Sequence, residues 1–284
     1  MQRRVVGESS KRRQGDHVHE THPDVAERSM RHRHSDRPRA QSVQLSVLRA
    51  FDLRTDDEPI TLPPATQRLV AFLALHSRAL QRSFVAGTLW LDSSEARASA
   101  SLRSALWRLR RLGVPIIEQE SGRLSLAGSV RVDLWETTRI AERILHHGEM
   151  PEPFSGFREA LSADLLPDWY EDWVFAERER FRQLRMHTLE RLCQRLAQDG
   201  RWAEAVDAGL ATVAGEPLRE SGQRALIAAH LAEGNRNEAL RQYETYRAML
   251  RCELDVEPSP QMEELIAAAR VGSVTSHESA SPPP

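Results

Sequence analysis

The sequence predicts a mainly α protein with a small β component, a winged helix-turn-helix followed by a tetratricopeptide-like all-helical domain. Three observations carry this expectation. Between residues 41 and 130, short alternating apolar runs, three helical patterns and a hairpin signal follow one another. From 131 to 270 the pattern is almost wholly helical. Within that stretch Gly200, Glu204 and Ala205 recur as Gly234, Glu238 and Ala239, an offset of 34 in each case, with Leu192 and Leu226 in step. That period belongs to helix pairs that each need a stacked neighbour to bury their apolar face.

Taken in order, residues 1–40 are polar, rich in Arg and His, and nearly free of bulky apolar side chains. Such a segment cannot bury enough surface to offset its ordering entropy, so a disordered basic tail is expected. His17, His19, His22, His32 and His34 have no regular spacing and no cysteine among them, so they read as solvated side chains, with no metal or cofactor implied. Met30 offers a second possible translation start. Val43, Leu45 and Val47 then alternate with Gln44, Ser46 and Leu48, and Phe51 and Leu53 follow, which suits a strand with one buried face. A polar turn at Asp56-Asp57-Glu58-Pro59 leads to a second strand, Ile60 to Leu62. Pro63-Pro64 closes it and can open a helix, because proline fits a first helical turn.

Leu69, Val70, Phe72 and Leu73 keep helical spacing from Gln67 to His76. A short helix is expected from about Ser83 to Leu89, with Ser83 as its N-cap, and a stronger one from Glu95 to Leu112, stopped by Gly113 and Pro115. Ile116-Ile117-Glu118 and Arg123-Leu124-Ser125-Leu126 flank Ser121-Gly122, the signature of a β-hairpin. The domains expected are therefore a tail over 1–40, a winged helix-turn-helix over 41–130 and a helical-repeat domain over 131–270. The last of these contains the link Met150-Pro151-Glu152-Pro153, a long helix near Trp173–Gln198 and a final one near Gln261–Arg270. Residues 271–284, rich in Ser and Pro, read as a second tail.

Composition narrows the function. No apolar run approaches the roughly 20 residues that span a bilayer, and no apolar segment follows the basic start, so neither membrane nor secretion is implied. The two cysteines, Cys193 and Cys252, lie inside helical patterns and read as buried or half-buried reduced thiols of a cytoplasmic protein. The formal net charge of -2 conceals a gradient. Residues 1–40 carry ten basic against six acidic side chains, residues 41–130 eleven against eight, and residues 131–270 eighteen against 26. Only the front half is suited to a polyanion. Of 39 basic residues Lys11 alone is lysine, consistent with GC-rich bacterial coding.

The third helix concentrates that charge. At about 100° per residue, Ala98, Ala105, Leu106 and Leu109 fall on the same side as Leu102. The opposite side carries Ala100, Arg103, Ser104, Trp107, Arg108 and Arg111, with Arg110 on the flank, and no acid occurs between Arg97 and Arg111. A solvated helix face ordinarily mixes signs, because opposite charges stabilise it at i,i+4. Five arginines without an acid make an electropositive ridge that fits a major groove of double-stranded DNA, where Arg can hold guanine bidentately or clamp phosphate and Ser104 can bond either. The following hairpin adds Arg123 as a wing contact. Trp107 is placed to stack on sugar-phosphate, to cover arginine stems, or to pack on the neighbouring domain.

Leu102-Arg103-Ser104-Ala105-Leu106-Trp107-Arg108-Leu109-Arg110-Arg111 resembles the recognition helix of the Streptomyces antibiotic regulatory protein (SARP) family, and Ala86-Gly87-Thr88-Leu89-Trp90-Leu91-Asp92 resembles the preceding helix and turn. The later part resembles the bacterial transcriptional activator domain (BTAD) of that family. The matching stretches are Trp169-Tyr170-Glu171-Asp172-Trp173 with Glu177-Arg178, Glu216-Pro217-Leu218-Arg219-Glu220, Gly234-Asn235 with Glu238-Ala239-Leu240 and Tyr243, and Leu254-Asp255-Val256-Glu257-Pro258-Ser259. The resemblance covers roughly residues 43–270. It implies a nucleoid-associated activator that binds direct repeats as a homodimer and recruits RNA polymerase. The hairpin lacks the family's usual Gly-Tyr pair, and no Gly-rich Lys-Ser/Thr loop occurs, so ATP control is not implied.

Two rival readings stand beside this one. Asp164, Asp168, Glu171 and Asp172 cluster as paired carboxylates could for acid-base catalysis, but acids at a helix start suit its dipole, and no nucleophile or phosphate loop accompanies them. The chain is accordingly read as no enzyme. The other rival is a helical-repeat adaptor whose winged helix binds protein and not DNA. Trp169, Tyr170 and Trp173 are close enough for an aromatic pocket, although packing at a helix start explains them more simply.

Overall fold

The computed structural model describes residues 42–56, 58–148, 150 and 154–271. The expectations for residues 1–40, for Pro151-Glu152-Pro153 and for 272–284 lie outside these. In chain order come β1 (Val43–Ser46), β2 (Asp52–Thr55), β3 (Glu58–Pro59), α1 (Pro64–His76), β4 (Leu80–Gln81), α2 (Arg82–Leu89), α3 (Glu95–Arg110), β5 (Ile117–Glu120), β6 (Arg123–Leu126) and β7 (Val130–Val132). Helices follow: α4 (Asp133–His147), α5 (Phe154–Leu161), α6 (Asp172–Gln198), α7 (Trp202–Gly215), α8 (Glu220–Glu233), α9 (Arg236–Leu254) and α10 (Pro260–Val271). Among the described residues the protein is mainly α with two small sheets, as the sequence predicts.

One expected strand is in fact a paired couple. The chain reverses at Arg49, whose φ is +73°, and β2 lies antiparallel on β1 with Leu45 opposite Leu53. Ile60 to Leu62 form no strand; the partner of β2 is the two-residue β3, which ends at Pro59, and beyond it Ile60 N–H still donates to the Leu53 carbonyl at 2.7 Å. Beyond β1, Val47 and Leu48 do not continue the ladder with β2. Their N–H groups donate to the carboxylate of Asp133 at 3.0 and 3.1 Å, Leu48 bridges Leu165, and Leu166 N–H donates to the Val47 carbonyl at 2.9 Å. The sheet order is β3-β2-β1-β7, with β7 parallel to β1, a pairing for which three residues gave no sequence signal.

Helix α1 begins at Pro64, three residues before the expected start, with proline in its first turn. Helix α2 begins at Arg82 and its N-cap is Gln81, so Ser83 is not the cap but lies inside the helix. The cause is β4: Leu80 and Gln81 pair with Leu124 and Arg123, and this fixes the extended backbone that must precede the helix. Helix α3 ends at Arg110, two residues short, and Gly113 (φ +74°) turns the chain. The hairpin is as expected. Ser121 and Gly122 both have positive φ, +49° and +76°, which a two-residue turn between twisted strands requires.

The core under α1, α2 and α3 is built from Leu69, Phe72, Val85, Leu89, Leu102 and Leu106 among others, and it continues without a break into Leu165, Leu166, Val174 and Phe181. Trp169 and Trp173 pack against it, Trp169 stacked on Phe51 at 5.9 Å and Trp173 edge-on to Phe72 at 5.1 Å. They serve packing, while Tyr170 is 81% exposed. The long helix and the last helix both occur, and α10 extends through Val271, the first residue assigned to the second tail.

The repeat matches the structure at each residue that carries it. Gly200 and Gly234 have φ of +75° and +90° and turn α6 into α7 and α8 into α9. Ala205 and Ala239 are buried beneath them, as are Leu192 and Leu226. Several of the stretches that carry the resemblance act as staples. Glu171 accepts from Arg68 and from Trp173 Nε1, each at 2.7 Å, and Arg178 donates to the carbonyls of Leu165, Leu166 and Trp169. Glu216 pairs with Arg182, and Arg219 pairs with Glu190. Glu220 receives Ser259 N–H at 2.8 Å, and Glu257 pairs with Arg247 and Arg251. Cys193 is buried and donates to the Ala225 carbonyl at 3.4 Å, whereas Cys252 is exposed, against the expectation of two sheltered thiols; neither is in a disulfide.

Candidate nucleic-acid interface

Helix α3 divides along the expected line. Ala98, Leu102, Ala105, Leu106 and Leu109 are all buried, 4% exposed or less, and pack into the core with α1 and α2. Every residue assigned to the opposite surface is exposed: Arg97, Arg103, Ser104, Trp107, Arg108, Arg110 and Arg111 on the helix, and Arg123 on the hairpin. A buried stripe of leucine and alanine fixes the rotation of the helix, and the rest of its circumference is left to arginine.

Among the described residues none of Arg97, Arg103, Arg108, Arg110, Arg111 and Arg123 is ion-paired with a carboxylate. The contrast with α6 is sharp, since Arg180, Arg182, Arg185 and Arg195 of that helix each face an acid within 3.0 Å. The α3 arginines are also placed to suit the helix itself, because Arg108 and Arg110 lie in its last turn, where the dipole favours positive charge. That accounts for two of them at most and leaves Arg97 and Arg103 unexplained.

Local contacts shape the surface. The hydroxyl of Ser104 donates to the Ala100 carbonyl at 3.1 Å, so its lone pairs face outward. The guanidinium carbon of Arg111 lies 4.9 Å above the Trp107 ring centroid. Arg110 borders a crevice between the end of α3 and the hairpin, lined also by Leu109, Ile117 and Gln119. Arg123 is set by its pairing with Gln81 and Glu120 in the sheet of β4, β6 and β5. The same pairing brings in a residue that sequence reasoning missed. Arg82 N–H donates to the Gly122 carbonyl at 3.1 Å, and its guanidinium donates to Gln119 at 2.7 Å, so it stands beside the hairpin. Two-residue strands leave no periodicity by which it could have been found.

Two of the four carboxylates weighed for catalysis are engaged elsewhere. Asp164 pairs with the buried Arg185 at 2.7 Å, and Glu171 is held by Arg68 and Trp173. No helix among the described residues is long and apolar enough to cross a membrane.

A three-helix unit with a hairpin, its third helix basic and exposed, joined to stacked helix pairs, is the architecture of a winged-helix regulator with a helical-repeat partner domain. Comparison with known proteins agrees. Residues 132–270 match the family described as Bacterial transcriptional activator domain. The chain is 27% identical over 235 residues to Regulatory protein AfsR of Streptomyces coelicolor, and 27% identical over 240 residues to Regulatory protein AfsR of Streptomyces griseus. These alignments take in 79% and 80% of this chain, which spans only 24% of the length of either relative. A solved structure of Mycobacterium tuberculosis EmbR in complex with a low affinity phosphopeptide superposes with a TM-score of 0.65 at 18% identity, over 82% of this chain and 66% of that one, a likeness of fold. The chain thus resembles the SARP family, and its residues 132–270, behind the winged helix, match the bacterial transcriptional activator domain.

Proposed function

We propose that this protein is a sequence-specific DNA-binding transcription regulator, an activator that recruits RNA polymerase and acts as a homodimer on double-stranded DNA in the cytoplasm. In this reading residues 41–130 meet the duplex and residues 131–270 meet protein partners. One observation supports it above the others: six exposed arginines on α3 and its hairpin face solvent with no carboxylate partner among the described residues. Cations left unpaired on one surface raise the local potential, and a polyanion relieves their mutual repulsion. A single helix fits the major groove, about 12 Å wide, and arginine there can read guanine or hold phosphate. The match of residues 132–270 to a transcriptional activator domain supports the activator part of the reading, and the similarity to two regulatory proteins supports the regulator part.

Fluorescence anisotropy of the full chain with labelled duplexes, repeated across a salt series, tests this directly. Binding should weaken with a log–log slope of about -0.9 for each phosphate neutralised. Failure to bind any duplex at low salt would leave the adaptor reading in its place.

A further inference from the structure

We infer that Trp107 is a specificity-determining residue of this interface, its indole taking the C5 methyl group of a thymine in the major groove. The inference rests on the DNA-binding reading above and adds to it the kind of base feature recognised.

Trp107 lies in the middle of the arginine surface, one helical turn after Arg103 and Ser104 and one turn before Arg110 and Arg111. It is 57% exposed, the most open of the six tryptophans. Trp90, Trp135, Trp169 and Trp173 pack against the core, and the indole N–H groups of Trp135 and Trp173 donate to the Ala74 carbonyl and to Glu171. Trp107 has neither feature: among the described residues its indole N–H has no hydrogen-bond acceptor. Among the described residues its ring has one cation-π partner, Arg111, whose guanidinium lies over one face. The second face and the outer edge therefore remain available.

A groove offers such a ring little choice of partner. The base edges of the major groove present donors, acceptors and a single apolar feature, the thymine methyl. An indole has one N–H and no acceptor, so it cannot match the paired acceptors of guanine or the donor-acceptor pair of adenine. Its apolar edge matches a methyl group. The guanidinium held over the opposite face has lost part of its rotational freedom, so Arg111 is presented to a fixed neighbouring position.

The test uses a duplex enriched from a random pool by the full chain. Each thymine in it is replaced in turn by deoxyuridine, which removes the methyl alone. At one position the replacement should weaken binding about fourfold, the worth of one buried methyl group. That effect should vanish in Trp107→Ala and persist in Trp107→Phe; circular dichroism verifies that both variants are folded. A scan that is flat at every thymine overturns the inference. An undiminished effect in Trp107→Ala overturns it too. A flat scan accompanied by an equal loss of Trp107→Ala affinity for all duplexes would assign the indole to the sugar-phosphate backbone. If the pool yields no preferred duplex, the reading on which the inference depends falls with it, so the two failures are distinguishable.

Discussion

Asp133 shows how much a single side chain can hold in this molecule. It opens α4, and its carboxylate accepts N–H groups from Val47, Leu48 and Leu134, joining the end of β1 to the first helix of the matched family domain. Burial pushes its pKa above the ordinary value of 3.8, and the three backbone donors offset part of that shift. The folded state thus holds the Asp133 proton more tightly than the unfolded state. This group's contribution to stability is greatest at acid pH and declines as pH rises through the raised value. Asp133→Asn, which turns an amide toward backbone donors, should cost about 1–3 kcal/mol. Urea midpoints at pH 4 and pH 7 should show a larger deficit at the lower pH. Cys193 provides a second check. Its thiol is pushed up to about 12, chiefly by burial, whereas Cys252 is exposed. A native chain should react quickly with one equivalent of a thiol reagent, and with two only after denaturation. On the proposed interface, Arg108→Ala or Arg111→Ala should weaken duplex binding by about 1–3 kcal/mol where the arginine contacts a base. Unchanged promoter affinity in both variants would place the interface elsewhere.

At the scale of elements, legibility followed length. Helix α3 could be read almost to its end because five buried positions recur with helical spacing across 16 residues. The Ser121-Gly122 hairpin was readable because its turn needs two positive φ values that few dipeptides accept. β3, β4 and β7 were not, since strands of two or three residues have no period; their existence depends on partners distant in sequence. The start of α2 was misplaced for that reason, because the pairing of Gln81 with Arg123 outweighs the capping preference of Ser83. The contact between α7 and α8 was equally silent. A Cβ on Gly209 would lie 2.9 Å from the Leu226 side chain and 3.1 Å from its Cα, so the helices approach closely only because that position has no side chain. Gly209→Ala should force them apart at a cost of about 1–3 kcal/mol, seen as a lower thermal midpoint. Gly87→Ala, where the new methyl meets nothing within 4 Å, is the control and should leave the midpoint unchanged or raise it.

Across the whole molecule, the winged helix and the helical stack are less separable than the sequence pattern implies. The core beneath α1 to α3 incorporates Leu165, Leu166, Val174 and Phe181, and Arg68 of α1 is tied to Glu171. A fragment ending near residue 131 would therefore expose apolar surface on α1 and lose the partners of Val47 and Leu48. Such a fragment should melt well below the intact chain, and amide exchange in α1 should be faster in it. Equal protection of α1 in fragment and full chain would show that the shared core contributes little. The same coupling bears on function, because a partner that shifts α6 acts on the core that carries α3.

The sequence by itself determined the class of fold, the third helix with its buried and basic sides, the hairpin and the 34-residue repeat. Each of these is written in local spacing, and local spacing is what a helix or a turn responds to. Tertiary structure decided which arginines have no acidic partner among the described residues, where the short strands pair, and that the core beneath α1 to α3 takes in Leu165, Leu166, Val174 and Phe181 of the helical half. Those outcomes depend on residues far apart in the chain meeting at distances that no local pattern encodes.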